Sequence, residues 1–269
     1  MSGKQSPEEM WRAVLTGQVR GLRLMQSVFK RLPSEPRCKF CYAPFGRPGN
    51  LFIRLLGGRP SRLNRRLCTW CFKGAHKLPG GAEVEISALF ADVRGSTGLA
   101  EHAAPGEFGQ LLARFYGCAA RAVDHWYGVV DKFVGDEAVA LFIPGFAGKD
   151  HAARAVAAAR DLLRDTGHLE VKPWIPVGIG VHTGVSFVGH IGEGDALDFT
   201  AVGDTVNTAA RLTAAAGVGE ILVSDAAASA AGLDTSGLEH RLLELRGREQ
   251  TVGVWVQPAT ISSVEITAA

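Results

Sequence analysis

From Glu83 onward the chain alternates. Val84, Ile86, Ala88 and Phe90 are apolar at every second position, the period of a half-buried strand. The period then lengthens: Leu111, Phe115, Ala119, Ala122 and Trp126 form one helical stripe. Val129 to Val134 and Ala138 to Phe142 are short apolar runs on either side of Gly135-Asp136, a tight hairpin signal. His151 to Leu163 reads as an alanine-rich helix, and Pro176 to His182 with Val185 to Ile191 as a second hairpin pair. Asp204 to Ala215 follows as a helix and Glu220 to Val223 as a strand. This order predicts an α+β fold, helices on an antiparallel sheet.

The first 80 residues have another character. Ser6-Pro7-Glu8-Glu9 is a helix start: a serine cap, proline at the first helical position and acids in the first turn. Trp11, Val14, Leu15, Leu22, Met25 and Phe29 continue at near-helical spacing and predict an amphipathic helix ending near Leu32-Pro33, weakened by Gly17 and Gly21. Two cysteine pairs follow, Cys38 with Cys41 and Cys68 with Cys71, around a loop-like stretch rich in Pro, Gly and Arg. Residues 76–81, with Leu78-Pro79-Gly80-Gly81, read as a linker. The expected division is 1–37 helix, 38–80 cysteine module and linker, 81–258 main domain and 259–269 tail.

Charge sharpens that division. The net charge of +2 conceals 16 basic and 3 acidic residues in 1–80, a net of +13, against 13 and 24 in 81–269, a net of −11. Two modules with different surfaces are implied. The basic one either packs against the acidic one or meets an anionic partner, such as a membrane surface or nucleic acid. An apolar fraction of 46% and a mean hydropathy of +0.09 suit a globular protein. No run approaches the roughly 20 apolar residues that span a bilayer. The N-terminus lacks the basic and apolar regions of a secretory signal, so a cytoplasmic protein is expected.

The chemistry concentrates in a few places. Asp92 ends a strand and leads into Val93-Arg94-Gly95-Ser96-Thr97, a glycine-containing turn whose backbone N–H groups can meet phosphate oxygens. Alone, Asp92 is a turn or cap residue and Asp136 a turn former. Together they can hold two divalent ions about 3.5–4 Å apart, which activate an oxygen nucleophile and stabilise a leaving oxygen. Asn207 and Arg211, four apart, share a helix face. Lys132 can only donate hydrogen bonds, whereas Thr200 can donate and accept; such a pair can satisfy the ring nitrogens and exocyclic amine of adenine. Cys-x2-Cys-x26-Cys-x2-Cys is metal-site spacing. Four thiolates suit tetrahedral Zn²⁺; redox pairing and an iron–sulfur cluster are the other readings. Cys118 lies beside its helix's apolar stripe and is expected in the core. Gly178-x-Gly180 lacks the following helix of a dinucleotide fingerprint.

In this order and spacing, Phe90 to Thr97, Lys132 to Glu137 and Thr200 to Arg211 resemble the catalytic domain of class III nucleotidyl cyclases, which make cyclic AMP or cyclic GMP. The resemblance covers about Glu83 to Val256. It implies a ferredoxin-like antiparallel sheet with helices, here preceded by the N-terminal helix and a small Cys-rich module. It implies two Mg²⁺ or Mn²⁺ ions on Asp92 and Asp136, ribose orientation by Asn207 and stabilisation of α-phosphate charge by Arg211. Arg246 stands where the family often has a lysine for the terminal phosphates, with Arg248 an alternative. Lys132 with Thr200 looks like the adenylyl subgroup that includes bicarbonate-responsive enzymes. In the family the site lies between two catalytic domains, one giving the aspartates and the other the base-reading pair, the asparagine and the arginine. A homodimer with two sites, acting on ATP, is therefore implied. The rival readings are a silent cyclase-like nucleotide sensor and a nucleic-acid-binding regulator built on residues 1–80.

Overall fold

The computed structural model describes residues 6–32, 36–55, 57–61, 67–76, 80–170, 172–193, 198–245 and 251–258. Its elements run α1 (Pro7–Leu15), α2 (Arg20–Lys30), α3 (Asn50–Leu55), α4 (Thr69–His76), β1 (Gly81–Val93), α5 (Ser96–His102), α6 (Pro105–His125), β2 (Val129–Val134) and β3 (Glu137–Phe142). They continue as α7 (Pro144–Ala147), α8 (His151–Asp165), β4 (Val177–Ile191), β5 (Asp198–Val202), α9 (Asp204–Ala215), β6 (Glu220–Ser224), α10 (Asp225–Ala231), β7 (Glu239–Leu243) and β8 (Val252–Pro258). The chain divides into two compact units: residues 1–86, 143–149 and 185–203 form one, and residues 87–142, 150–184 and 204–269 the other. Strands β1 and β4 each give one half to either unit.

The larger unit is the sheet-and-helix layer that the alternation predicts. Strand order is β2-β3-β1-β4-β6-β8-β7. β1 pairs antiparallel with β3, with Ser87 opposite Phe142 and Asp92 opposite Glu137. The sheet is mixed rather than purely antiparallel, because β4 runs parallel to β6 at Ile179–Val181. The expected second hairpin is absent as well: Val177–Ile191 is one continuous strand. At its centre Thr183, a polar residue beside Gly184, is buried and shares a 2.7 Å hydrogen bond with Ser87 Oγ, which also meets His151 Nδ1 at 2.9 Å. That network satisfies polar groups that would otherwise favour a turn. On α6 the predicted stripe is buried at Phe115, Ala119 and Ala122, and Cys118 joins it. Beneath α9, Leu212, Leu222, Val254 and Val256 belong to one apolar cluster.

In the smaller unit the N-terminal amphipathic helix is present but broken in two. α1 begins with a reciprocal cap: Ser6 Oγ accepts from Glu9 N–H at 3.2 Å and Glu9 Oε2 accepts from Ser6 N–H at 2.8 Å. It stops before Gly17, whose φ of 72° lies in the left-handed region. Trp11 and Leu15 of α1 and Phe29 of α2 are buried. Gln26 Nε2 donates to the carbonyls of Phe40 (2.8 Å) and Gly145 (3.1 Å), and Tyr42 Oη donates to Phe146 O at 2.9 Å. β5, which no sequence signal marked, pairs antiparallel with the outer half of β4, with Gly189 opposite Thr200 and His190 opposite Phe199. The expected linker partly overlaps ordered structure, since α4 runs to His76 and β1 begins at Gly81; 77–79 and the tail 259–269 lie outside the described residues.

Candidate active site

The site is built by the ends of two strands. β1 is apolar and buried from Ala88 to Ala91, then presents Asp92. β3, fully buried from Ala138 onward, opens with Glu137, and the antiparallel register sets it opposite Asp92. The hairpin tip turns at Gly135, φ 59°, and leaves Asp136 beside both; Val93 N–H donates to Asp136 O at 3.3 Å. Tyr116 of α6 braces the tip. Its ring stacks on Phe133, centroids 4.2 Å apart, and its hydroxyl donates to Gly135 O. On the other side Gly95, φ 69°, turns the chain into α5. The Val93 and Arg94 amides are occupied, the second by Pro176 O at 2.9 Å. Among the described residues the N–H groups of Gly95, Ser96 and Thr97 have no backbone partner.

Asp92, Asp136, Glu137 and Val93–Thr97 line one cavity of about 320 Å³. Its electrostatics are strained in one direction. Burial raises the Asp92 carboxyl above its ordinary range, Arg94 opposes that rise, and Asp136 adds to it. Glu137 is pushed up to about 7, chiefly by burial and then by the charges of Asp92 and Asp136. Arg94 is the nearby cation: Nη2 bonds Asp92 Oδ1 and Nη1 reaches Ala214 O at 3.4 Å. A set of three oxygen ligands that resist ionising together fits hard divalent cations such as Mg²⁺ or Mn²⁺.

α9 closes the cavity with Ala210, Thr213 and Ala214. Thr213 Oγ1 ties the helix to β1 by donating to Phe90 O at 3.0 Å. Asn207 and Arg211 lie on α9 but are not in this lining; Asn207 is exposed and Arg211 partly so. Lys132 sits on β2, its Nζ 3.3 Å from Asp131 Oδ2. Thr200 is buried on β5 and belongs to the smaller unit. Arg246 and Arg248 lie outside the described residues.

Residues 81–258 match the family model described as the adenylate and guanylate cyclase catalytic domain. The chain belongs to that family. It is 31% identical to the guanylyl cyclase Cya2 over 66% of this chain and 93% of that one, with a TM-score of 0.59. The adenylyl cyclase CyaB from P. aeruginosa is 26% identical over 65% and 93%, with a TM-score of 0.55. An adenylate cyclase of Anabaena cylindrica is 35% identical over 132 residues, 47% of this chain. The chain spans only 26% and 37% of the first curated relatives' own lengths. Among the described residues, no helix is long and apolar enough to cross a membrane.

Two residues at this cavity and its hairpin tip carried no role in the sequence reading. Glu137 stood in the motif, and the one signal for it was a charge at the start of an otherwise apolar run. Tyr116 was an aromatic off the stripe of its helix, which signals a contact outside the core.

Ahead of the cyclase domain, the four predicted cysteines converge. The Sγ atoms of Cys38, Cys41, Cys68 and Cys71 all lie within 4.8 Å of one another, and none is in a disulfide. Cys41 and Cys68 sulfurs are 3.7 Å apart. A tetrahedron with zinc–sulfur bonds of about 2.3 Å has edges of about 3.8 Å, so the spacing fits. Cys68 N–H donates to Cys38 Sγ at 3.2 Å and Cys71 N–H to Cys68 Sγ at 3.4 Å, contacts that favour thiolates. Hydrogen bonds among the thiols split them. Cys68 is held far below the usual thiol range, chiefly by Cys38, and Cys38 is lowered, chiefly by Cys41. Cys41 and Cys71 are pushed far up, each chiefly by Cys38. A divalent cation would relieve that conflict.

Proposed function

We propose that the chain is an adenylate cyclase, converting ATP to 3′,5′-cyclic AMP and pyrophosphate at sites formed between two copies. The observation that carries this reading is the convergence of Asp92, Asp136 and Glu137 on one cavity with the open amides of Gly95–Thr97. Asp92 and Asp136 would hold two Mg²⁺ or Mn²⁺ ions. When bound, those ions supply activation of the ribose 3′-hydroxyl and neutralise charge on the departing pyrophosphate. The 3′-oxygen bonds to the α-phosphorus in line as the bridge to the β-phosphate breaks.

The chain's own groups orient that displacement. Gly95, Ser96 and Thr97 amides cradle phosphate oxygens, with Arg246 at the terminal phosphates. From the partner copy, Asn207 orients the ribose and Arg211 stabilises charge growing on the α-phosphate. Lys132 donates to an adenine ring nitrogen, and Thr200 accepts from the exocyclic amine. The same chemistry is the ground for preferring ATP, since the similar structures include both adenylyl and guanylyl cyclases. Cys38, Cys41, Cys68 and Cys71 hold a structural Zn²⁺, and reduced thiols suit a cytoplasmic setting.

The test is turnover of ATP and GTP by the purified chain with Mn²⁺, following both cyclic nucleotides. A kcat/KM for ATP about tenfold above that for GTP is expected, since one base-reading pair discriminates modestly. Comparable values would remove the adenylate assignment. No product from either nucleotide would remove the enzymatic one.

A further inference from the structure

The cysteine centre and the predicted base reader Thr200 lie in the same compact unit, joined by a short series of contacts. Phe40 sits between Cys38 and Cys41 in sequence and is buried. Its ring meets Phe199 edge-on with centroids 5.4 Å apart, and Phe146 at 4.7 Å. Phe199 directly precedes Thr200 on β5. Phe199 also stacks on Trp11, centroids 5.7 Å apart. Side chains alternate along a strand, so packing one face through Phe199 fixes where Thr200 points on the opposite face.

A second contact reaches Thr200 from across the ladder. Its partner in register is Gly189. Any Cβ at Gly189 would collide with Gly81 Cα, and His190 N–H donates to Gly80 O at 2.9 Å. Gly81 begins β1 and Gly80 precedes it, about ten residues along the chain from the last cysteine, Cys71. The β4–β5 pair around Thr200 is thus met by the Phe40 ring from within the cysteine centre and by the Gly80–Gly81 backbone that follows it.

We propose that the four-thiolate centre is a positioning device for nucleotide recognition: an ion held by Cys38, Cys41, Cys68 and Cys71 fixes Phe40, and Phe40 fixes the β4–β5 hairpin at Phe199 and so the placement of Thr200. Phe40 is a positioning residue in this scheme. The proposal rests on the adenylate cyclase reading for its consequence, weaker nucleotide binding on ion loss, but not for its mechanical part. A module of this size has too small a core to hold its shape unaided, so the ion controls whether Phe40 is held at all.

The experiment uses the full chain in four forms: zinc-loaded, chelator-stripped, Phe40→Ala and Phe40→Tyr. Zinc content is measured by elemental analysis, and amide hydrogen exchange is followed on Asp198–Val202 of β5, with Glu220–Ser224 of β6 as internal control. Stripping and Phe40→Ala are expected to speed β5 exchange about tenfold or more with β6 unchanged. Phe40→Tyr keeps the ring and should restore protection. In the same samples, supplied with Mg²⁺, Phe40→Ala should raise the KM for ATP about fivefold, the worth of one hydrogen bond, with kcat within about twofold. Unchanged β5 exchange after stripping and in Phe40→Ala overturns the proposal. If stripping loosens β6 too, Phe40→Ala, which retains all four ligands, decides. Hydrogen exchange needs no turnover, so an inactive chain with a zinc-dependent hairpin would refute the cyclase reading and leave the coupling standing. An active chain with an indifferent hairpin would do the reverse.

Discussion

Asp92 and Glu137 stand directly opposite one another where β1 ends and β3 begins. The register that buries Ala88 to Ala91 against Ala138 to Leu141 also brings two carboxyls together, with Asp136 one residue away. Both carboxyls are raised, each chiefly by burial; the charge of Asp136 adds to the rise of Asp92, and the charges of Asp92 and Asp136 add to that of Glu137. The arrangement costs stability unless a cation is shared, which ties the fold's local discomfort to its chemistry.

Asp92→Asn and Asp136→Asn keep the shape of the side chain and remove its charge. Each should lower kcat by about a hundredfold or more, the scale for losing a group that stabilises developing charge. Circular dichroism should show the fold intact. Activity within a few-fold of the parent in either variant would sink the metal assignment.

Much of this was legible in the sequence, and what was not has identifiable causes. The strand at Val84 to Phe90, the Gly135-Asp136 turn and the stripe on α6 are local patterns, and local patterns survive folding. The continuity of β4 is not local. Thr183-Gly184 has the composition of a turn, and Ser87, distant in sequence and itself bonded to His151, meets the Thr183 hydroxyl within the strand. The parallel pairing of β4 with β6 depends on a crossover through β5 and α9, which no periodicity encodes. Likewise the cysteine spacing announced a cluster of four thiols, but Phe199, which packs on Phe40 between the first two, lies about 130 residues beyond the last of them. Charges and glycines at turns were readable; partners across the fold were not.

Glu137 gives a prediction with a definite sign. Its ordinary value is 4.5 and burial with its neighbours lifts it to about 7 in the folded chain. The folded state then binds a proton that the unfolded chain has already released. Between these two values stability falls as pH rises, and the full penalty is present above about 7. Glu137→Gln removes it. Without divalent ions the variant should melt at a higher temperature than the parent at pH 8, and the difference should vanish near pH 4.5. Mn²⁺ should then raise the parent's melting temperature more than the variant's at pH 8. A difference independent of pH would show that the carboxyl is not strained by its neighbours.

The placement of Asn207 and Arg211 makes the last prediction the most discriminating. Both ride on α9, yet the cavity holding Asp92 and Asp136 takes its lining from Ala210, Thr213 and Ala214 of that helix instead. If Asn207 and Arg211 act in the reaction as proposed, their absence from the carboxylate cavity is accounted for by their serving the site of a second copy. Asp92→Ala then disables both sites of its own homodimer, and so does Arg211→Ala. A mixed dimer has one site with both lesions and one with neither. Mixing the two inactive proteins under conditions that exchange subunits should restore activity, approaching about a quarter of the parent's if pairing is random and the sites are independent. Subunit exchange is checked separately with two affinity tags. Exchange without recovered activity would place Arg211 in the same site as its own Asp92 and end the shared-site reading. Recovery would show that each copy completes the other, and it needs no assumption about which nucleotide is turned over.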